Sequence, residues 1–181
     1  MNILETDSAW YRLVSGDELM QGDILENCPI FFPPSDLTLN SLEEGRADFT
    51  WEVRDVIIMS QSCDLAIGKK KCPEVLLCPL WNRSELTEGH LSTDQGMEDA
   101  RKGQLPAYHV LNKCEIEEAE REFRVVDFRY TYTLPLEFCK EFAARIPSRI
   151  RLLSPYREKL SQAFARFFMR VGLPTDIPPF T

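Results

Sequence analysis

The chain has no apolar run longer than four residues; Val56 to Met59 is one of the longest. A membrane-spanning helix needs about 20 apolar residues, so none is expected. The first ten residues hold Glu5 and Asp7 but no lysine or arginine. They lack the basic start of a secretory signal, and a cytoplasmic location is expected. There is no GxGxxG, no GxxxxGK[S/T] and no HExxH, so nucleotide binding of those types and zinc-protease chemistry have no support. Six cysteines are present, but none forms the C-x2-4-C pair that closes a zinc chelate; the tightest spacings are Cys63-x8-Cys72 and Cys72-x5-Cys78. Free, mostly buried thiols are preferred over structural zinc or disulfides. Internal repeats and low-complexity segments are missing, as is the strand–helix alternation of a doubly wound sheet.

What is present is an ordinary globular composition: 181 residues, 44% hydrophobic and 28% charged. That suits one domain over residues 1–181, burying about 70% of the unfolded chain's surface. The net charge is −8, unevenly spread. Between residues 140 and 172, Lys140, Arg145, Arg149, Arg151, Arg157, Lys159, Arg166 and Arg170 face only Glu141 and Glu158, while the preceding residues are strongly acidic. An acidic body repels phosphate at long range, which disfavours loose nucleic-acid binding. The basic block is expected to dock on its own acidic body, with a local partner or nucleic-acid patch as the alternative.

Residues 22–32 predict a strand interrupted by Pro29 and stopped by Pro33 and Pro34. Residues 35–48 predict a loop. Asp55 to Ser60 is a β-branched run of the kind that is buried on both faces, and Glu74 to Leu80 is the next strand. A basic-tipped turn, Gly68 to Lys71, joins them. Glu98 to Gly103 predicts a short helix ending on glycine. Tyr108 to Leu111 is a short strand, and Phe123 to Leu134 one long strand or a bent pair. Helices follow from Pro135 and from Ser154-Pro155, the latter carrying Tyr156, Leu160, Phe164, Phe167, Phe168 and Val171 at spacings of three and four. Gly172 and Pro174 stop it. Strands first and helices last is an α+β pattern, or a barrel with helices.

Gly22-Asp23-Ile24-Leu25, then Arg54-Asp55-Val56-Ile57-Ile58-Met59-Ser60, then Val75-Leu76-Leu77-Cys78-Pro79-Leu80 follow one another at set intervals. In order and spacing, residues 20–82 resemble the PemK/MazF-like plasmid-maintenance toxin superfamily. The resemblance implies a small, strongly bent antiparallel β-barrel (SH3-like) with C-terminal helices, within the α+β class. Residues 20–134 would form the barrel core with insertions, 135–172 the helices and 173–181 an extended tail. It also implies a bacterial toxin–antitoxin, stress or phage-defence setting. In that family an arginine and a hydroxyl residue cleave single-stranded RNA. Arg54 matches the arginine. Asp55 stands where proline is usual, and Trp81 or Asn82 stands at the hydroxyl position, with Ser84 the nearest hydroxyl.

Three further groups of residues are candidates for chemistry or binding. Cys63, beside Asp64 in Ser60-Gln61-Ser62-Cys63-Asp64, would be a nucleophile if His109 or His90 served as its base. The plainer reading is a strand-ending turn with Cys63 packed inward. Asp23, Asp64 and Glu74 would gather on Mg²⁺ only if their strands were neighbours; solvated acids are preferred, and neither metal nor cofactor is expected. Arg149, Arg151, Arg157, Arg166, Arg170 and Phe168 are the candidates for holding a partner or a nucleic acid. Three functions follow, in order. The first is a non-catalytic module that binds a protein partner or a second copy through the C-terminal helix and tail, with RNA as a second ligand. The second is a toxin-type endoribonuclease using Arg54. The third is a Cys63-dependent enzyme.

Overall fold

A computed structural model of the chain describes residues 9–66 and 72–169. In chain order the elements are β1 (Tyr11–Val14), β2 (Ile24–Phe32), α1 (Leu39–Glu43), β3 (Thr50–Ile58), α2 (Ser62–Leu65), β4 (Glu74–Asn82), α3 (Asp94–Arg101), β5 (Tyr108–Leu111), β6 (Arg124–Asp127), β7 (Tyr132–Pro135), α4 (Leu136–Arg145), β8 (Arg149–Leu152) and α5 (Tyr156–Phe168). No helix among the described residues is long and apolar enough to cross a membrane.

The β-branched run of β3 sits at the centre, as its composition predicts. Val56 and Ile58 point to one apolar cluster, with Leu25, Ile30, Val75, Leu77, Leu134 and Cys139, under α4. Ile57 and Met59 point to the other, with Ile24, Cys78, Leu80, Val126, Phe128, Leu152 and Leu160, under α5 and the β1–β8 pair. A strand apolar on both sides needs cover on both sides, and the two helices supply it.

This double-sided core replaces the expected barrel. The main sheet runs β2-β3-β4-β6-β5 in antiparallel pairs, with β7 also on β4. Its terminal strands β2 and β5 do not meet, so the α+β chain carries an open sheet. The reason lies in β4. Its first half, Glu74 to Leu77, pairs with β7, and its second half, Leu80 to Asn82, pairs with β6. The segment from Phe123 to Leu134 is therefore two strands serving different halves of β4. A small closed barrel has one interior; here the centre of the sheet carries a buried apolar cluster on each face.

Other differences are local. Pro29 does not break β2: it stays in register with Val53, which is tolerated because β2 is an edge strand. The irregularity falls instead between Leu25 and Cys28, where Asn27 takes φ 54°. The expected loop 35–48 contains α1, started by a capping box in which Thr38 Oγ1 accepts from Ser41 N at 3.1 Å. The stretch between the two C-terminal helices holds β8, which ties Arg149–Leu152 to Tyr11–Val14. The turn at Gly68 to Lys71, the helix stop at Val171 to Pro174, Arg170 and the tail 173–181 lie outside the described residues.

The six cysteines are unpaired; Cys28, Cys78, Cys114 and Cys139 are buried and Cys63 and Cys72 exposed. Burial pushes the Cys28, Cys78 and Cys139 thiols up to about 12, which keeps them protonated and unreactive.

Candidate functional site: a charged fork between β3 and β4

β3 and β4 pair over three residues only, from Ile58↔Leu77 to Val56↔Pro79. Pro79 has no N–H to continue the ladder. Beyond it the strands part, β3 staying with β2 and β4 turning to β6. The parting leaves a cleft of about 560 Å³ lined by Glu26, Asn27, Glu52, Val53, Arg54, Asp55, Pro79, Leu80, Trp81, Asn82, Glu85 and Arg121.

Arg54 occupies this fork. Its guanidinium lies 5.3 Å from the Phe32 ring centre and 5.6 Å from that of Trp81, and Nη2 donates to Glu52 at 2.6 Å. Its Nε is buried without a partner. Opposite, Glu26 takes a bidentate pair from Arg121 at 2.7 and 2.6 Å and a third bond from Arg124 at 2.8 Å. Burial raises the Glu26 pKa, but Arg121 and Arg124 outweigh it and hold the carboxyl below its ordinary value. Asp55 accepts from the Asn27 N–H at 2.9 Å, made available by the left-handed turn there. Burial raises its pKa. Four carboxylates against two arginines leave the lining acidic, which is unfavourable for a polyanion.

Glu26 yields a prediction. Its folded pKa is depressed, so its contribution is complete above the ordinary 4.5 and is lost as pH falls through the folded value. Glu26→Gln is expected to cost about 2 kcal/mol at neutral pH, because Arg124 is almost fully buried and loses a charged acceptor. Urea midpoints should differ clearly at pH 7 and draw together at the lowest pH at which the chain stays folded. An equal difference at both values would mean that ionisation of Glu26 does not matter.

The other candidates are scattered. Ser84, the nearest hydroxyl, is held by Glu122, to which both its hydroxyl and its N–H donate. Cys63 lies on α2, exposed rather than packed inward, with Sγ 3.7 Å from Asp64. Its cleft is lined by Asp17, Glu18, Met20 and Lys140 among others and by no histidine. The polar cluster around it joins elements: Leu76 N donates to Ser60 Oγ at 2.8 Å, Gln21 N to Ser62 Oγ at 3.1 Å and Gln21 Nε2 to Met59 O at 2.8 Å. His109, on β5, faces a separate cleft with α5, and His90 pairs with Asp99 at 2.9 Å. So Arg54, Cys63 with Asp64, and His109 stand in three different places, and neither histidine reaches a nucleophile. Asp23, Asp64 and Glu74 do not gather either; among the described residues no group of three or more histidines, cysteines or acids is placed to hold a metal ion.

The basic block divides. Arg149 and Arg151 project from β8 onto fully buried Asp23: Arg149 Nε and Arg151 Nη2 each donate to Asp23 Oδ2 at 2.8 Å, and Arg151 Nε donates to Oδ1. Both are buried. Arg157 pairs with Glu158 at 2.6 Å. Arg166 is exposed on α5. Phe164 and Phe167 turn inward onto Phe128, leaving Phe168 exposed. Gly22 takes φ 84°, and a Cβ there would meet the Leu152 Cβ at 3.0 Å, so the Gly-Asp start of the resemblance marks where β8 crosses β2.

One feature escaped the sequence reading. Among the described residues, β3 from Thr50 to Arg54 pairs with β2 alone and its other edge carries no strand. Trp51 and Val53, on one face of that stretch, are 60% and 56% exposed, with Phe31 beside Trp51 across the hairpin. The alternation Trp51-Glu52-Val53-Arg54 was the available signal, but it is the pattern of any half-buried strand.

No protein-family model matches the chain, and no curated protein matches it. The PemK/MazF-like resemblance rests on the quoted residues alone.

Proposed function

We propose that the chain is a non-catalytic binding module that takes an extended, basic segment of a protein partner as an added strand on the open edge of β3. The observation that carries this reading is the juxtaposition at the fork: an unpaired strand edge, exposed Trp51 and Val53 beside it, and an acidic cleft at its end. An open edge offers backbone hydrogen bonds, alternate side chains offer pockets, and the four carboxylates favour lysine or arginine in the guest. The apolar stripe of α5 is largely used by its own core, which makes β3 the better surface than the C-terminal helix. RNA cleavage at Arg54 is disfavoured by the acidic lining, which includes neither histidine. The toxin–antitoxin, stress or phage-defence setting enters only as the resemblance implies it.

The test is selection of twelve-residue peptides displayed against the full chain. Winners are expected to alternate apolar residues with lysine or arginine, and to protect the amides of residues 50–55 from exchange. Trp51→Ser with Val53→Ser should weaken them about tenfold or more without lowering the melting temperature. No enrichment, or equal binding by the double variant, would sink the reading. Self-association lost in the same variant would assign the edge to a second copy instead.

A further inference from the structure

A separate cleft lies where the end of α3, strand β5 and helix α5 meet. Its volume is about 390 Å³, within the range of small-molecule sites. Its lining carries Arg101, Lys102, His109, Lys159 and Arg166, together with Tyr108 and Gln162, and no carboxylate. That is unusual in a chain of 29 acids and 21 bases. The arrangement follows from helix periodicity. Lys159, Gln162, Ala163 and Arg166 fall at i, i+3, i+4 and i+7, one stripe of α5, while Leu160, Phe164 and Phe167 turn to the core. Arg101 and Lys102 also reach Glu98, outside the cleft. Lys159 and Arg166 have no carboxylate partner among the described residues.

His109 is the second, independent observation. Its Nε2 is buried and makes no hydrogen bond, although the ring lines the cleft. Burial, and then the charge of Lys159, lower its pKa to about 4, so it is neutral at pH 7. A buried polar atom without a partner costs free energy, and a ligand oxygen would remove that cost. Like charges converging on one cleft focus a positive potential there, against the acidic field of the whole.

We propose that this cleft binds a small phosphate-bearing molecule of mononucleotide size. Lys159 and Arg166 hold the phosphate, His109 Nε2 donates to it in the tautomer protonated there, and Pro106, Val110 and Ala163 cover the less polar part. The volume exceeds what a bare phosphate needs, and the surrounding net negative charge argues against a long polyanion.

The experiment uses the full chain with histidine rings observed by NMR, and AMP and inorganic pyrophosphate as probes. AMP is expected to move the His109 signals and leave those of His90, its internal reference. Lys159→Ala and Arg166→Ala should each weaken AMP by about tenfold, and Lys113→Ala should not. Both cleft variants should melt as the parent does, since both side chains are exposed. Pyrophosphate moving the same signals supports recognition of the phosphate itself. Still His109 signals at about 10 mM of either probe, or unchanged affinity in both variants, would overturn the proposal. So would a ten-nucleotide RNA that displaces AMP at equal phosphate concentration.

Discussion

Asp23→Ala should leave the chain largely unfolded at temperatures where the parent is stable. Asp23 is fully buried and is the carboxylate that two buried guanidiniums share. Their other donors go to carbonyls and to the Met20 sulfur: Arg149 Nη1 to Gly16 O at 2.6 Å, Arg151 Nη2 to Glu18 O at 2.8 Å and Arg151 Nη1 to Met20 Sδ at 3.1 Å. Removing the carboxylate leaves two charges inside with no counter-charge. Breaking a buried pair from one side costs about 3–5 kcal/mol, whereas an exposed pair contributes about 0–1. Against a total stability of about 5–15 kcal/mol, the loss removes a large fraction. For a chain of this size it corresponds to roughly 6–20 °C in melting temperature. A calorimetric scan decides it, and a fall of under about 2 °C would show the arginines finding other partners. Asp23→Leu combined with Arg149→Met and Arg151→Met should recover much of the loss, because an apolar replacement removes all the charges together.

The same site shows where sequence reasoning stopped. Arg149 and Arg151 were named as candidates for holding a partner, although docking of the basic block on the chain's own acids was the preferred expectation; a charge count does not say which cation sits in water and which on a buried acid. The signal that would have separated them is the alternation Arg149-Ile150-Arg151-Leu152, a short strand with one apolar and one charged face. Four residues are too few for periodicity to stand out between two helices. Asp23 was equally legible only in hindsight, because its partners lie more than a hundred residues away. By contrast, β3, β4, α4 and α5 were readable. Each carries a run or stripe whose apolar pattern is set locally and is then obeyed by the tertiary structure.

The open sheet was not readable for a different reason. A strand apolar on both faces is compatible with a barrel wrapped by helices and with a sheet covered on both sides. What decides between them is the splitting of β4 between β6 and β7, a non-local choice. The fork that results brings Glu26, Arg54, Asp55 and Arg121 together from separate segments. Arg54 was named from the resemblance, and it lines this cleft. Its neighbours were not, since nothing in the sequence places Glu26 beside Arg121 and Arg124.

Phe128→Ala is the second change with a large expected effect, and it tests the independence of the two faces. Phe128 is buried just past β6, with Phe164 at 5.3 Å, Phe167 at 6.2 Å and the His109 ring at 6.4 Å between centres. It is the platform on which α5 rests. Deleting such a ring from a core costs about 3–5 kcal/mol, since the lining relaxes only partly into the void. The loss should be felt unevenly. Helix α4 covers the other face through a separate apolar cluster and should keep its protection from amide exchange, while α5 loses it first. Loss of order in α5 also scatters Lys159 and Arg166, so binding of AMP should weaken along with the helix. Phe128→Leu, which keeps most of the volume, should restore both partly. If α4 and α5 lost protection together, the two clusters would be one cooperative core, and the sheet between them would be a conduit rather than a partition.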